Sequence, residues 1–299
     1  MPAIRLGTRG SLLARSQAAL IAAEIHRRFQ LEVQTILITT TGDKIQDRPL
    51  YDAGGKGLFI KEIEQALLSN QIDFAVHSCK DVPVTMPLVD QSDLIIAAIP
   101  TRLDPSDVLI SPHASTLENL PPHCTVGTGS LRRRCQLLHH RPDLQIHPIR
   151  GNIDTRIKKL TSGEFAATIL ALAGLTRANL FDQSLMHIIP TSDLLPAPGQ
   201  GALALQCRRN DKTTREILSQ LDDPSARAAV EAERAVVAAL NCDCHSPIAV
   251  LADIENQTLH LRAALGQRDG APPVKHAEFR SPLTKSPSAI AEVVRSLSI

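Results

Sequence analysis

Apolar runs of strand length alternate with runs of helical period twice along this chain, and that alternation constrains its fold more than any other feature. Residues 3–7 carry a short strand pattern, and Ser11 opens a helix with Leu13, Leu20, Ile21 and Ile25 on one face. Residues 32–40 read as a β-branched strand, 58–68 as a second amphipathic helix and 72–77 as a buried strand. The polar stretch 41–56, with Gly42, Gly54 and Gly55, is expected to be a mobile loop. Pro100 and Pro105 mark a crossing into a second domain, where the alternation restarts: strand 124–127, helix 131–140, strand 145–149, helix 153–160, strand 167–170. Pro190, Pro196 and Pro198 mark a crossing back, and 202–206 reads as a strand that could rejoin the first sheet. Pro224 opens an Ala-, Glu- and Arg-rich helix to 240, and the remainder reads as a small α/β domain. Such βαβ order predicts mainly parallel sheets, and 299 residues are enough for two or three domains.

The two halves share a junction. Leu6-Gly7-Thr8-Arg9-Gly10-Ser11-Leu12 and Val126-Gly127-Thr128-Gly129-Ser130-Leu131 each join a strand to a helix with similar residues. One reading is two variants of one unit, their strand ends facing a shared cleft, where open α/β sheets bind ligands. The other is that Gly, Thr and Ser are simply common at helix caps.

Composition excludes several classes. Hydrophobic residues at 43% and charged residues at 21% describe a globular chain. No apolar run is long enough to span a bilayer, and the first residues lack a secretory apolar region, so a soluble cytoplasmic protein without a membrane partner is expected. A net charge of +1 gives no global attraction to nucleic acid, although residues 131–160 hold eight Lys/Arg against two acids. With 2% aromatics and no Trp, a stacking platform for single strands is not expected, and no nucleic-acid partner is read. The six cysteines form no CxxC pair and are expected to be thiols in a reducing cytosol.

The candidate chemistry lies at the strand-to-helix junctions. Thr128, Gly129 and Ser130 lead into a helix N-terminus, where free N–H groups favour anions. Arg132 and Arg133, about 100° apart on a helix, could reach different carboxylates. Arg150, Gly151 and Arg156 stand at the next junction, and Arg9 at the equivalent place in the first half. Guanidinium forks grip carboxylates bidentately, and without a GxxxxGK[ST] loop a polycarboxylate ligand fits better than a phosphate. Arg134, Arg141, Lys158 and Lys159 read as solvated helix faces. Asp81, beside Lys80, should stay ionised, able to stabilise a cation or handle a proton, although an Asp before Val-Pro is commonly a turn former. A Ser78-x-Lys80 hydrolase pair is disfavoured because the two alternate sides on a strand. Cys242-Asp243-Cys244-His245 could be a zinc half-site, but further ligands at recognisable spacing are missing; a loop thiol can also be a nucleophile.

Seven of these stretches, in this order, resemble the hydroxymethylbilane synthase (porphobilinogen deaminase) family over nearly the whole chain. They are Gly7-Thr8-Arg9-Gly10-Ser11, Gly54-Gly55-Lys56-Gly57-Leu58-Phe59, residues 75–83, Gly127-Thr128-Gly129-Ser130-Leu131-Arg132-Arg133, residues 150–156, Pro198-Gly199-Gln200-Gly201 and Cys244-His245-Ser246-Pro247-Ile248. The resemblance implies three α/β domains, the first two like a two-lobed type II periplasmic-binding-protein fold with a central cleft and the third a small α/β domain. Their expected extents are 1–99 with 198–220, 104–194, and 223–299. It implies stepwise condensation of four porphobilinogens with loss of ammonia, then hydrolysis to hydroxymethylbilane. It makes Cys244 the thioether anchor of a dipyrromethane cofactor built from two porphobilinogens. Asp81 becomes the catalytic carboxylate, stabilising the pyrrolenine cation and the protonated pyrrole formed by the next attack. Ser78, Lys80, Asp81, Thr128, Ser130, Arg132, Arg133, Arg150 and Gly151 are implied cofactor contacts, and Arg9, Ser11, Lys56, Phe59, Arg150, Arg156 and Gln200 substrate contacts. No metal is implied; a monomer is, with hand-over of product to uroporphyrinogen-III synthase. The chain departs from the family at Asp52, where Lys is usual, at Gly129, where Ser is common, and in carrying Cys79 and Cys242. The alternative is a non-catalytic solute-binding or effector-sensing module of the same fold. It would call for an export signal or DNA-binding segment and gives the cysteine loop no use.

Overall fold

The computed structural model describes residues 3–44, 57, 59–84, 93–243 and 246–298. The chain begins with β1 (Ile4–Thr8), α1 (Leu12–Phe29), β2 (Val33–Leu37), a helical turn α2 (Thr41–Lys44), α3 (Lys61–Leu68), β3 (Phe74–Ser78) and β4 (Leu94–Ala98). It continues with β5 (Asp107–Ile110), β6 (Thr125–Gly127), α4 (Leu131–His140), β7 (Gln145–His147), α5 (Ile153–Thr161), β8 (Ala167–Ala171), α6 (Leu172–Arg177) and β9 (Met186–Ile189). It ends with β10 (Leu203–Arg208), α7 (Lys212–Ser219), α8 (Pro224–Ala239), β11 (Ile248–Glu255), β12 (Thr258–Leu265), β13 (Lys275–Pro282) and α9 (Ser286–Ser298). These elements pack as two units, Met1–Arg102 with Ala202–Arg227 and Leu103–Gly201 with Ala228–Ile299.

The first unit holds a five-stranded sheet in the order β2-β1-β3-β10-β4. β1 runs parallel to β2 and β3, whereas β10 is antiparallel to β3 and β4. Strand side chains alternate between faces. Phe74 and Val76 of β3 therefore join Ile21 and Ile25 of α1 in one core, while Ala75 faces Ile63, Ala66 and Leu67 of α3 in another. Ser11 caps α1, its Oγ accepting from Ala14 N at 3.3 Å. The anticipated return of 202–206 to the first sheet occurs as β10, between β3 and β4.

The second unit repeats this order as β7-β6-β8-β5-β9, with β6 parallel to β7 and β8, and β5 antiparallel to β8 and β9. Strand for strand the two sheets match, which favours two variants of one unit over a coincidence of caps. Leu109 of β5 packs with Leu137 of α4 on one face, and Val108 and Ile110 pack with Leu160 and Leu175 on the other. The antiparallel meander β11-β12-β13 belongs to the same unit, joined to α4 by a cluster of Cys135, Ala249, Leu251 and Ala264. A Cβ on Gly266 would collide with Cys135. The α/β class, the doubled sheet and the small third layer are as expected from the sequence.

Several expectations fail. The sheets are not mainly parallel: each five-stranded sheet has two parallel and two antiparallel pairings, because β10 and β5 enter from the crossings and run against their neighbours. The meander is antiparallel throughout. Residues 41–44 form a helical turn rather than a loop, because Asp43 accepts from Thr40 N at 3.3 Å and Thr40 Oγ1 at 2.8 Å and closes it; 45–56 lie outside the described residues. Arg141 is no solvated cation: it pairs with Asp143 at 2.7 Å and donates to the carbonyls of Leu117, Glu118 and Leu120. Among the described residues no helix is long and apolar enough to cross a membrane.

Candidate active site

In the first unit, β3 ends at Ser78 and turns at once. Cys79 N donates to Ala202 O at 3.0 Å, and Val82 N closes a single 3-10 turn, Cys79–Asp81, on Cys79 O at 3.1 Å. This leaves Asp81 exposed at the carboxyl end of a buried strand. The turn also means that Ser78 and Lys80 do not alternate along a strand; instead Ser78 Oγ accepts from the buried Gln17 amide at 2.9 Å. Arg9, just past β1, donates from Nε and Nη2 to Asp43 at 3.1 and 2.5 Å. Its Cζ lies 3.9 Å from the centroid of the Phe59 ring. Burial pushes the Asp43 carboxyl up, but hydrogen bonds from Arg9 and Thr40 outweigh it and hold the group below the usual carboxylate range.

Behind these groups His77 Nε2 meets Gln206 Oε1 at 3.0 Å, and Gln206 Nε2 donates to the buried Glu64 at 2.8 Å. Burial, helped by the charge of Arg9 and opposed by Gln206, pushes the His77 imidazole down to about 4. It is therefore neutral near pH 7.

The second unit gathers most of the anion-binding candidates. Ser130 caps α4, accepting from Arg133 N at 3.4 Å, and Thr128 Oγ1 accepts from Ser130 N at 3.2 Å. Each hydroxyl keeps its own hydrogen to donate. Arg132 and Arg133, 4% and 6% exposed, do not reach different carboxylates; both bind Asp107, itself 0% exposed, at 2.8 Å. The N-terminal turn of α4 lies over the start of β5, so both side chains converge on that one strand residue. Arg133 Nη1 also donates to Ile169 O at 2.9 Å, and Arg132 Nη1 to Leu195 O at 2.7 Å. Arg132 Nε is buried and has no hydrogen-bond partner among the described residues. Burial pushes the Asp107 carboxyl up, and the two guanidiniums reverse this so strongly that it lies well below the carboxylate range. Gln200, 1% exposed, donates from Nε2 to Pro105 O at 2.6 Å and Asp107 at 2.8 Å. Its two amide hydrogens are thus spent inside the protein, one on Pro105 and one on Asp107, rather than on a substrate. Gly151 has φ +110°, and a Cβ there would meet Thr155; its carbonyl accepts from Arg156 Nε at 2.8 Å. Arg150 is half-buried beside it.

Lys56, Asp52, Cys244 and His245 lie outside the described residues. Cys242 is half-buried, and burial pushes its thiol up. Among the described residues no group of three or more His, Cys, Asp or Glu could hold a metal ion. The structure adds residues that sequence reasoning missed: Gln17, Asp43, Asp107 and Arg177. Arg177 ends α6 and donates to Gly201 O at 2.8 Å, and burial pushes its guanidinium down to about 10. The available signals were an acid opening the apolar run Val108-Leu109-Ile110, and an arginine one helix beyond the buried strand β8.

Two family models match almost end to end: porphobilinogen deaminase, dipyromethane cofactor binding domain, over residues 4–216, and porphobilinogen deaminase, C-terminal domain, over 227–294. The chain belongs to the porphobilinogen deaminase family. Relatives named porphobilinogen deaminase include one from Brevibacillus brevis, 46% identical over 269 residues (89% of this chain, 85% of the relative). Another, from Acidothermus cellulolyticus, is 43% identical over 299 residues, 99% of this chain and 87% of the relative. A solved structure of an ancestral cationic amino acid solute binding protein is similar at TM-score 0.44 and 12% identity, over 73% of this chain and 87% of that one.

Proposed function

We propose that this member of the porphobilinogen deaminase family acts as a hydroxymethylbilane synthase through Asp81 and two sets of basic residues. It condenses four porphobilinogens, ammonia leaving at each step, and hydrolysis releases the linear tetrapyrrole. The observation that carries the assignment of residues is the Asp107 cluster: two buried guanidiniums share one internal carboxylate, and among the described residues Arg132 Nε has no acceptor. A buried cation short of counter-charge favours an anionic ligand. The dipyrromethane cofactor, rich in carboxylates, fits that donor set, with Thr128, Ser130 and Arg150 supplying further donors. When bound through Cys244 it supplies the pyrrole carbon from which the chain grows.

The protein's own contributions then divide. Arg132, with Arg133, Asp107 and Gln200 fixing it, holds a ligand carboxylate. Ser78 and Lys80 add donors beside Asp81. Arg9, Ser11, Phe59, Arg150 and Arg156, with Lys56, serve the incoming porphobilinogen. Asp81, an exposed carboxylate at a strand end, stabilises positive charge on the substrate's pyrrole as ammonia departs. The same reading has the enzyme act as a cytoplasmic monomer and pass its product to uroporphyrinogen-III synthase; both rest on the family resemblance.

Asp81→Asn keeps the shape and removes the charge, so turnover should fall at least ~10²–10³-fold, as for a lost preorganised stabiliser. Asp81→Glu keeps the charge displaced by about an ångström, and a misplacement of that size costs ~10²-fold. Single-turnover ammonia release should therefore rank Glu above Asn. Equal rates would rule out charge at Asp81 as the catalytic quantity.

A further inference from the structure

We propose that Asp43 is the positioning residue of Arg9, gripping one edge of its guanidinium so that the other edge meets a substrate carboxylate. The proposal rests on the reading that Arg9 binds porphobilinogen. A guanidinium has two edges that can take a carboxylate side-on, Nε with Nη2 and Nη1 with Nη2. Asp43 occupies the first, at 3.1 and 2.5 Å. Among the described residues Nη1 makes no hydrogen bond. The Phe59 ring covers one face of the group at 3.9 Å. With an edge held and a face covered, the guanidinium cannot swing, and an incoming carboxylate has the Nη1 edge to bind in plane. Phe59 thereby acts on the substrate through Arg9.

The neighbourhood of Asp43 is shaped for this task. Its second oxygen accepts from Thr40 N and Oγ1 at 3.3 and 2.8 Å, so the carboxylate is fixed before it touches Arg9. Gly42 leaves the space that Phe59 fills, because a Cβ there would collide with the ring. The pair is 20% and 24% exposed, shielded enough to be screened less than a fully solvated ion pair.

Positioning and plain electrostatics predict opposite signs. If Asp43 merely competed for Arg9, removing its charge would lower KM for porphobilinogen. If it orients Arg9, Asp43→Asn in the full-length, cofactor-loaded enzyme should raise KM about five- to tenfold, the low end of coupled effects. The kcat should change less than about twofold, and Asp43→Glu should restore part of the KM. Independently of turnover, ¹⁵N NMR should show the Arg9 Nε–H exchanging faster with water in Asp43→Asn. Arg9→Leu is the control: it should raise KM more than Asp43→Asn does. An unchanged KM in Arg9→Leu would remove the substrate role of Arg9 and the proposal with it. If Arg9→Leu raises KM, three results would overturn the proposal alone: an unchanged or lowered KM in Asp43→Asn, unchanged Nε–H exchange, or a kcat that falls in step with KM.

Discussion

At His77, burial sets the protonation state. Gln206 spends its N–H on Glu64, so its oxygen must accept from His77 Nε2, and the imidazole is the neutral Nε2–H tautomer. With a pKa pushed to about 4 in the fold and about 6.5 unfolded, the unfolded chain binds the extra proton between those values. Stability from this group is therefore complete above pH ~6.5 and is lost as pH falls towards 4, by roughly 3 kcal/mol across the window. Denaturant unfolding at pH 7.5 and 4.5 should show His77→Gln losing less stability on acidification than the native chain. Equal losses would mean that His77 titrates in the fold as it does in water. The junction residues Arg9, Asp81, Arg132 and Arg150 were legible in the sequence because each stands in a compact motif. Asp43 and Asp107 were not, because their partners lie 34 and 26 residues away and only the fold brings them together.

Helix α4 and strand β5 are held in register by that second carboxylate. The helix was legible end to end, since Ser130 marks its start and its apolar period is clean. β5 was not: four residues after a proline carry too little periodicity to separate a strand from a turn. The edge strands β4 and β9 were missed as well, each lying beside the proline-rich crossings between the two halves. The pairing of α4 with β5 carries a definite energetic consequence. Asp107→Asn removes the countercharge from two buried guanidiniums, and breaking such a pair costs about 3–5 kcal/mol. Urea unfolding should find a loss of that size or an unfolded variant, and any folded variant should load less cofactor. A change below about 1 kcal/mol would contradict the assignment of Asp107 as the cluster's anchor.

Taken as a molecule, the chain uses one five-stranded plan twice and adds a three-stranded meander to the second copy. The Gly-Thr junctions hinted at the duplication, but topology decided it: matching strand order and direction are set by long-range pairing that no local window contains. We propose that the meander and α8 form the third domain, 223–299, and that this domain carries the cofactor-anchoring Cys244. Cys242 suits the anchoring role poorly, because burial raises its thiol and the thiolate is the nucleophilic form. Mass spectrometry of intact and digested protein from cells that make porphobilinogen tests the assignment most directly. The native chain and Cys242→Ser should both carry a two-pyrrole adduct on the peptide containing Cys244, and Cys244→Ser should carry none. An adduct on Cys242, or an unmodified native chain, would contradict it.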